Sequence, residues 1–197
     1  MNSTRELLIE QMKDLYDAEK QLVAALPKLA KASSNEELTE AFESHLKETR
    51  GHVERLEKAF ELLGEKAKGK PCKAMKGLIE EGGETTKEDF PEVLLDSAII
   101  CAAQKVEHYE IAGYGTVIAW ALAIGEEDVA GLFEKTLEEE KAADEKLTGI
   151  AGTLIAEAAE GVEEQDEAEG EPVEASPRKK GATGRLNTAT ATKRRAG

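Results

Sequence analysis

The sequence predicts an all-α fold: an antiparallel four-helix bundle with a long crossover between its second and third helices, followed by a disordered C-terminal tail. Three observations predict it. Charged residues make up 34% of the 197-residue chain and aromatics only 4%, a profile that suits helices packed on helices better than β-sheet. Four long segments carry apolar residues every three or four positions, the period of one helix face. Beyond residue 159 the composition changes abruptly, which divides the chain into a 1–159 helical domain and a 160–197 tail. The net charge of −15 argues against nucleic-acid binding by the domain, because phosphate backbones would repel it. Cys72 and Cys101 form neither a CxxC pair nor a disulfide framework, which fits a reducing, cytoplasmic setting. The first residues carry no secretory h-region, and no apolar run approaches the roughly 18 to 20 residues that span a bilayer.

The first helix starts at a capping box, Ser3-x-x-Glu6. Its stripe reads Leu8, Met12, Leu15, Glu19, Leu22, Leu26, Leu29, so Glu19 holds a slot where every other member is apolar. Pro27 is expected to kink this helix near its end. A second box, Ser34-x-x-Glu37, opens the next helix, and Gly64 closes it as a C′ glycine. There the stripe is Leu38, Phe42, Leu46, Val53, Leu56, Phe60 and Leu63, with His45, Glu48 and His52 beside it on one face. Glu48 and His45 are read as ligand candidates; His52 is read as part of the solvated edge.

Residues 65–90 form the crossover, with a short apolar piece, Cys72 to Ile79, of one or two turns. The third helix runs from about Pro91 to Ile124 and breaks at Gly125. It contains Gln104-Lys-Val-Glu-His-Tyr-Glu-Ile-Ala-Gly-Tyr-Gly115, in which Glu107 and Glu110 are three apart and point the same way. They border an apolar stripe, and a carboxylate moved into a protein interior costs several kcal/mol unless its charge is compensated. The fourth helix, from about Glu126 to Glu157, has the stripe Val129, Phe133, Thr136, Glu140, Ala143, Leu147, Ile150, Leu154, with Asp144 one turn past Glu140. Glu138, Glu139 and Glu145 read as solvated face. In the tail, residues 160–174 hold eight acidic and no basic side chains, and residues 175–197 hold seven basic and no acidic ones.

Every long helix thus offers an inward carboxylate: Glu19, Glu48, Glu107 with Glu110, and Glu140 with Asp144. Oxygen-rich sites with one or two imidazoles suit iron or manganese, and in carboxylate-bridged bundles such residues hold two ions at the centre. The segments Leu15-Tyr-Asp-Ala-Glu-Lys-Gln-Leu22, His45-Leu-Lys-Glu-Thr49, Ala103 to Gly115 and Thr136-Leu-Glu-Glu-Glu-Lys-Ala142 resemble the YciE/YciF family of stress-induced bacterial proteins, within the ferritin-like superfamily. The Glu-His-Tyr-Glu piece is also similar to the third helix of rubrerythrins. The resemblance covers residues 1 to about 157. It implies a ferritin-like bundle, a centre of two iron (or manganese) ions per chain, and a homodimer. Family sites usually read Glu-x-x-His on the second and fourth helices; here Gly51 and Ala143 stand at those places. Nitrogen ligation then falls to His45, or Asp144 replaces a histidine.

The expected core ligands are Glu19, Glu48, Glu110 and Glu140, with Glu107, Asp144 and His45 either completing the set or supporting it from behind. The expected chemistry is reaction with O2 or peroxide in stress protection, with an external electron donor because no rubredoxin-like cysteine module is present. Tyr109 and Tyr114 read as packing residues first and as hydrogen-bond donors to bound oxygen species second. A competing reading is a non-catalytic scaffold, its inward carboxylates paired with Lys105 or Lys141, acting through its surface or its basic tail. Iron storage in a shell ranks last.

Overall fold

A computed structural model describes residues 3–169, with only the backbone described for residues 160–169. Five helices run through it: α1 (Thr4–Ala32), α2 (Glu36–Leu62), α3 (Lys73–Thr85), α4 (Glu92–Ala123) and α5 (Glu127–Glu169). The helix starts follow local hydrogen-bond demand. Ser3 accepts from the Glu6 amide at 3.2 Å, as its capping box predicts. At α2 the cap is one residue later than expected: Asn35, not Ser34, accepts from the Leu38 amide at 2.9 Å. Ser34 and Asn35 instead give their own amides to the buried carboxylate of Asp96. That contact ties the α1–α2 turn to the start of α4. Gly64 and Gly125 have φ of 68° and 80°, left-handed conformations that end α2 and α4 at little cost for glycine.

The four long helices close into a ring in which α1 packs on α2 and α4, and α5 packs on α2 and α4. Short turns make α1–α2 and α4–α5 antiparallel hairpins. The crossover must therefore travel the length of the bundle. It does so along α1, where the Lys70 amide donates to the Lys13 carbonyl at 3.0 Å and the Cys72 amide to Asp17 Oδ2 at 2.8 Å. The helix α3 that follows is longer than the one or two turns expected, because the glycines at 77, 82 and 83 are absorbed into it; Gly82 faces Ala102. Pro27 is accommodated within α1, which continues to Ala32. The last helix also continues, to Glu169 rather than Glu157. The basic half of the expected tail lies outside the described residues.

Two apolar layers fill the bundle. One is built on Leu8, Met12, Leu15, Phe60, Val117 and Phe133, the other on Leu22, Leu26, Phe42, Ile99, Leu147 and Ile150. Between them lies a belt of buried Glu and His. The α1 and α5 stripes match expectation, with Glu19 and Glu140 fully buried in them. The α2 and α4 stripes are rotated. On α2 Leu46 and Val53 are only half-buried, while His45, Thr49 and His52 face the core. On α4 Leu94 is exposed, and Glu107, Glu110 and Tyr114 are buried.

Close approach of α1 and α4 depends on one position. A Cβ on Gly113 would sit 2.8 Å from Leu15 Cδ2, whereas one on Gly115 would meet nothing within 4 Å. Gly113→Val is expected to lower stability by about 2 kcal/mol through overpacking. Gly115→Ala is expected to raise it by up to about 1 kcal/mol through helix propensity. Urea unfolding of the two variants beside the parent checks both signs.

Candidate metal centre

The belt holds six ionisable side chains: Glu19 from α1, His45 and His52 from α2, Glu107 and Glu110 from α4, and Glu140 from α5. All six are buried. They form two overlapping clusters, each compact enough to hold a metal ion: His45, Glu107, Glu110 and Glu140, and Glu19, His52 and Glu140. Glu140 belongs to both. Its Oε1 lies 2.9 Å from His52 Nδ1 and its Oε2 lies 3.6 Å from His45 Nε2. His45 Nε2 is also 3.5 Å from Glu107 Oε2, and His52 Nδ1 is 3.4 Å from Glu19 Oε1.

These contacts lie close but are poorly aimed. Among the described residues nine buried side-chain N or O atoms lack a hydrogen-bond partner, and eight of them belong to this belt. They include both inward nitrogens and both oxygens of Glu110 and of Glu140. Buried polar atoms are almost always satisfied, and eight orphans in one belt are what a site able to hold a cation would show. The donor set of carboxylates with one imidazole per cluster suits iron or manganese.

The outward ring nitrogens are held by different means. His52 Nε2 lies 3.0 Å from Glu139 Oε2. Glu139 is gripped by Arg55, whose Nη1 donates to Oε2 at 2.6 Å and whose Nη2 donates to Oε1 at 2.9 Å. Arg55 Nη1 also donates to Thr136 Oγ1. His45 Nδ1 lies 3.3 Å from Glu48 Oε2, a half-exposed carboxylate. When each outward nitrogen carries the proton, each inward nitrogen presents a lone pair to the belt, the arrangement of histidines that ligate metal. The Tyr114 hydroxyl donates to Glu19 Oε1 and fixes the carboxylate at the other end.

The protonation pattern shows what the belt does without a cation. Burial, reinforced by neighbouring carboxylates, pushes Glu107 and Glu110 well above the ordinary carboxylate range. Burial also raises Glu19, against the opposing pull of His52. Burial alone would lower the imidazoles. The nearby carboxylates outweigh it and hold His45 up at about 9 and His52 at about 10. Glu140 is the exception: burial would raise it, but the close approach of His52 and the charge of His45 bring it below its usual value. Four carboxylates thus share charge with two imidazolium ions and keep protons for the remainder.

Of the residues expected from the sequence, Glu19, His45, Glu107, Glu110 and Glu140 are brought together. Glu48 and Asp144 join neither cluster. Glu48 stands outside His45 as its hydrogen-bond partner, and Asp144 accepts from Gln104 at 3.0 Å and lies 3.3 Å from the exposed His108. His52 and Glu139, both read as solvated from the sequence, belong to the belt and its support. Reading α2 as 38, 42, 45, 49, 52, 56 would have found His52, because that stripe keeps strict four-three spacing. Tyr114 touches Glu19, while Tyr109 donates to Asp14 and meets Cys72 Sγ at 3.0 Å, away from the belt. Lys105 pairs with Glu81 on α3 and Lys141 is exposed, so neither serves as a counter-ion for the buried carboxylates.

Known proteins share this architecture. Residues 3–160 match the family described as Domain of unknown function (DUF892). Protein YciF of Escherichia coli K12 is 48% identical over 152 residues, covering 77% of this chain and 92% of that protein. The crystal structure of the E. coli stress protein YciF superposes with a TM-score of 0.77 at 46% identity, over 79% of this chain and 99% of that one. A Rhodopseudomonas palustris protein, YcfI, gives 0.73 at 44% identity, over 75% and 94%. A two-domain protein of Anabaena variabilis with DJ-1/ThiJ/PfpI-like and ferritin-like domains gives 0.52 at 15% identity, over 91% of this chain and 42% of that one, a likeness of fold alone. The chain belongs to the DUF892 family, and its sequence and fold are those of a YciF homologue.

Proposed function

We propose that this chain is a ferritin-like protein with a dinuclear centre of iron or manganese, acting on O2 or peroxide in stress protection. The observation that carries the reading is Glu140: one fully buried carboxylate lies within ligand distance of two histidine-containing clusters, and neither of its oxygens has a hydrogen bond. Glu19 and His52 would hold one ion, His45, Glu107 and Glu110 the other, with Glu140 between them. When bound, such ions supply Lewis acidity and redox cycling toward a small oxidant.

The chain's own residues prepare that chemistry. Tyr114 keeps Glu19 turned inward, and burial and the Glu19 charge raise its hydroxyl pKa well above the ordinary value, so it remains a proton donor. Glu139 and Glu48 orient the imidazoles. The apolar layers on either side limit water at the belt. In this reading the partners are a second copy of the chain and an external electron donor. The name stress protein, borne by the E. coli relative, agrees with the reading.

Metal analysis of protein freshly purified from iron- and manganese-replete cells tests it. About two ions per chain are expected, with both lost in Glu140→Ala while helicity survives; a wild type free of transition metal would sink the reading. Removing support should matter as well. Glu139→Ala is expected to weaken metal affinity about tenfold or more, measured by competition with a chromophoric chelator.

The pH dependence has a definite sign. His45, His52, Glu107 and Glu110 all bind protons more tightly when folded than unfolded. The stability the histidines contribute to the stripped protein is present below their unfolded value of 6.5 and lost as pH rises through about 9 and 10. The raised carboxylates act in the same sense. Metal needs the opposite forms, so its binding displaces protons. Tm of the stripped protein should therefore fall as pH rises above neutrality, while the added Tm from saturating Mn2+ grows. Equal slopes for the two forms would contradict the assignment.

A further inference from the structure

The two halves of the belt differ in their access to solvent. His52, Glu19 and Tyr114 are fully buried, and the back of His52 is sealed by Glu139, which Arg55 holds by two hydrogen bonds and anchors to Thr136. His45 and Glu107 instead form the floor of a cleft between α2 and α5. The cleft has a volume of about 130 Å³ and is lined also by Ala41, Ser44, Glu48 and Ala143. His45 Nε2 and Glu107 Oε2 are themselves buried and lack a hydrogen-bond partner, so the two residues connect the cleft to the belt. The volume approaches that of a cavity that holds one benzene ring, so the cleft admits molecules of only a few heavy atoms. Its walls stay open because positions 41 and 143 carry alanine; a longer side chain at 143 would fill it. Glu48 and Glu107 line it together with a single lysine, Lys146, a mixed wall that suits a cation or a small neutral molecule.

Resting on the dinuclear reading above, we infer that this cleft is the single working entrance to the centre. It makes the His45–Glu107–Glu110 position the exchangeable, ligand-accepting half and the Glu19–His52 position a locked half. The ligand class is a hydrated divalent ion during loading and a small neutral molecule, of the size of water or peroxide, afterwards. On the other side, the groups that would have to part are the Arg55–Glu139 pair and the Tyr114–Phe133 contact, whose ring centroids are 5.8 Å apart.

The test uses the full chain loaded with Mn2+, freed of excess ion and challenged with EDTA while release is followed with a chromophoric indicator. Two phases of equal amplitude are expected, with rates at least about tenfold apart. Ala143→Leu, and independently Ser44→Phe at the rim, should slow the fast phase about tenfold or more and leave the slow phase within about twofold. Ala112→Leu, on an exposed face of α4, should change neither. Release of two ions in one phase, or a fast phase indifferent to both cleft variants, would overturn the inference and leave the dinuclear reading standing. Failure to bind any Mn2+ would overturn both.

Discussion

The whole bundle is arranged around one electrostatic problem. Four carboxylates and two imidazoles have been drawn into an interior where an uncompensated charge costs several kcal/mol. Two imidazolium ions balance two carboxylates at best, which leaves a deficit of about two positive charges when all four carboxylates ionise. The chain meets that deficit with protons when it is alone, as the raised Glu107 and Glu110 indicate. A pair of divalent cations would meet it fully, carrying the sum to neutrality with neutral imidazoles. The apolar layers, the tyrosine on Glu19 and the carboxylates behind the histidines make sense as a frame that keeps these six groups facing one another.

How far the belt could be read from the sequence depended on the helix. On α1 and α5 the apolar spacing is strict, so Glu19 and Glu140 stood out as polar members of otherwise apolar stripes. On α2 the half-buried Leu46 and Val53 drew the stripe away from its true face, and His52 was assigned to the edge. Glu48 seemed inward because it lies beside His45; in the structure it is half-exposed and meets the outer nitrogen of that ring. Glu139 has no signature in one sequence, because its role exists only once Arg55, 84 residues earlier, is folded against it. The second helix cap shows the same limit. Ser34-x-x-Glu37 and Asn35 are equally good local starts, and a remote carboxylate, Asp96, decides between them.

The crossover was legible as a segment but not as a structure. Its glycines suggested a loop, yet Gly77, Gly82 and Gly83 lie within α3. Gly82 is buried against Ala102 of α4, so packing between helices outweighs the propensity of single residues. Cys72 behaves as the small buried group expected of it. It caps α3 through Met75 and contacts Tyr109, and burial keeps its thiol protonated.

The division of donors between the two hairpins bears on how the chain finds its fold. The α1–α2 hairpin brings both imidazoles and a single carboxylate, and α4–α5 brings three carboxylates and no imidazole. Two copies of the second hairpin would confront six buried acids, and two copies of the first would lack the oxygen atoms to use four histidines. Only the mixed pair comes near balance. Polar groups usually regarded as a burden on the interior therefore favour docking of unlike halves and penalise pairing of like ones.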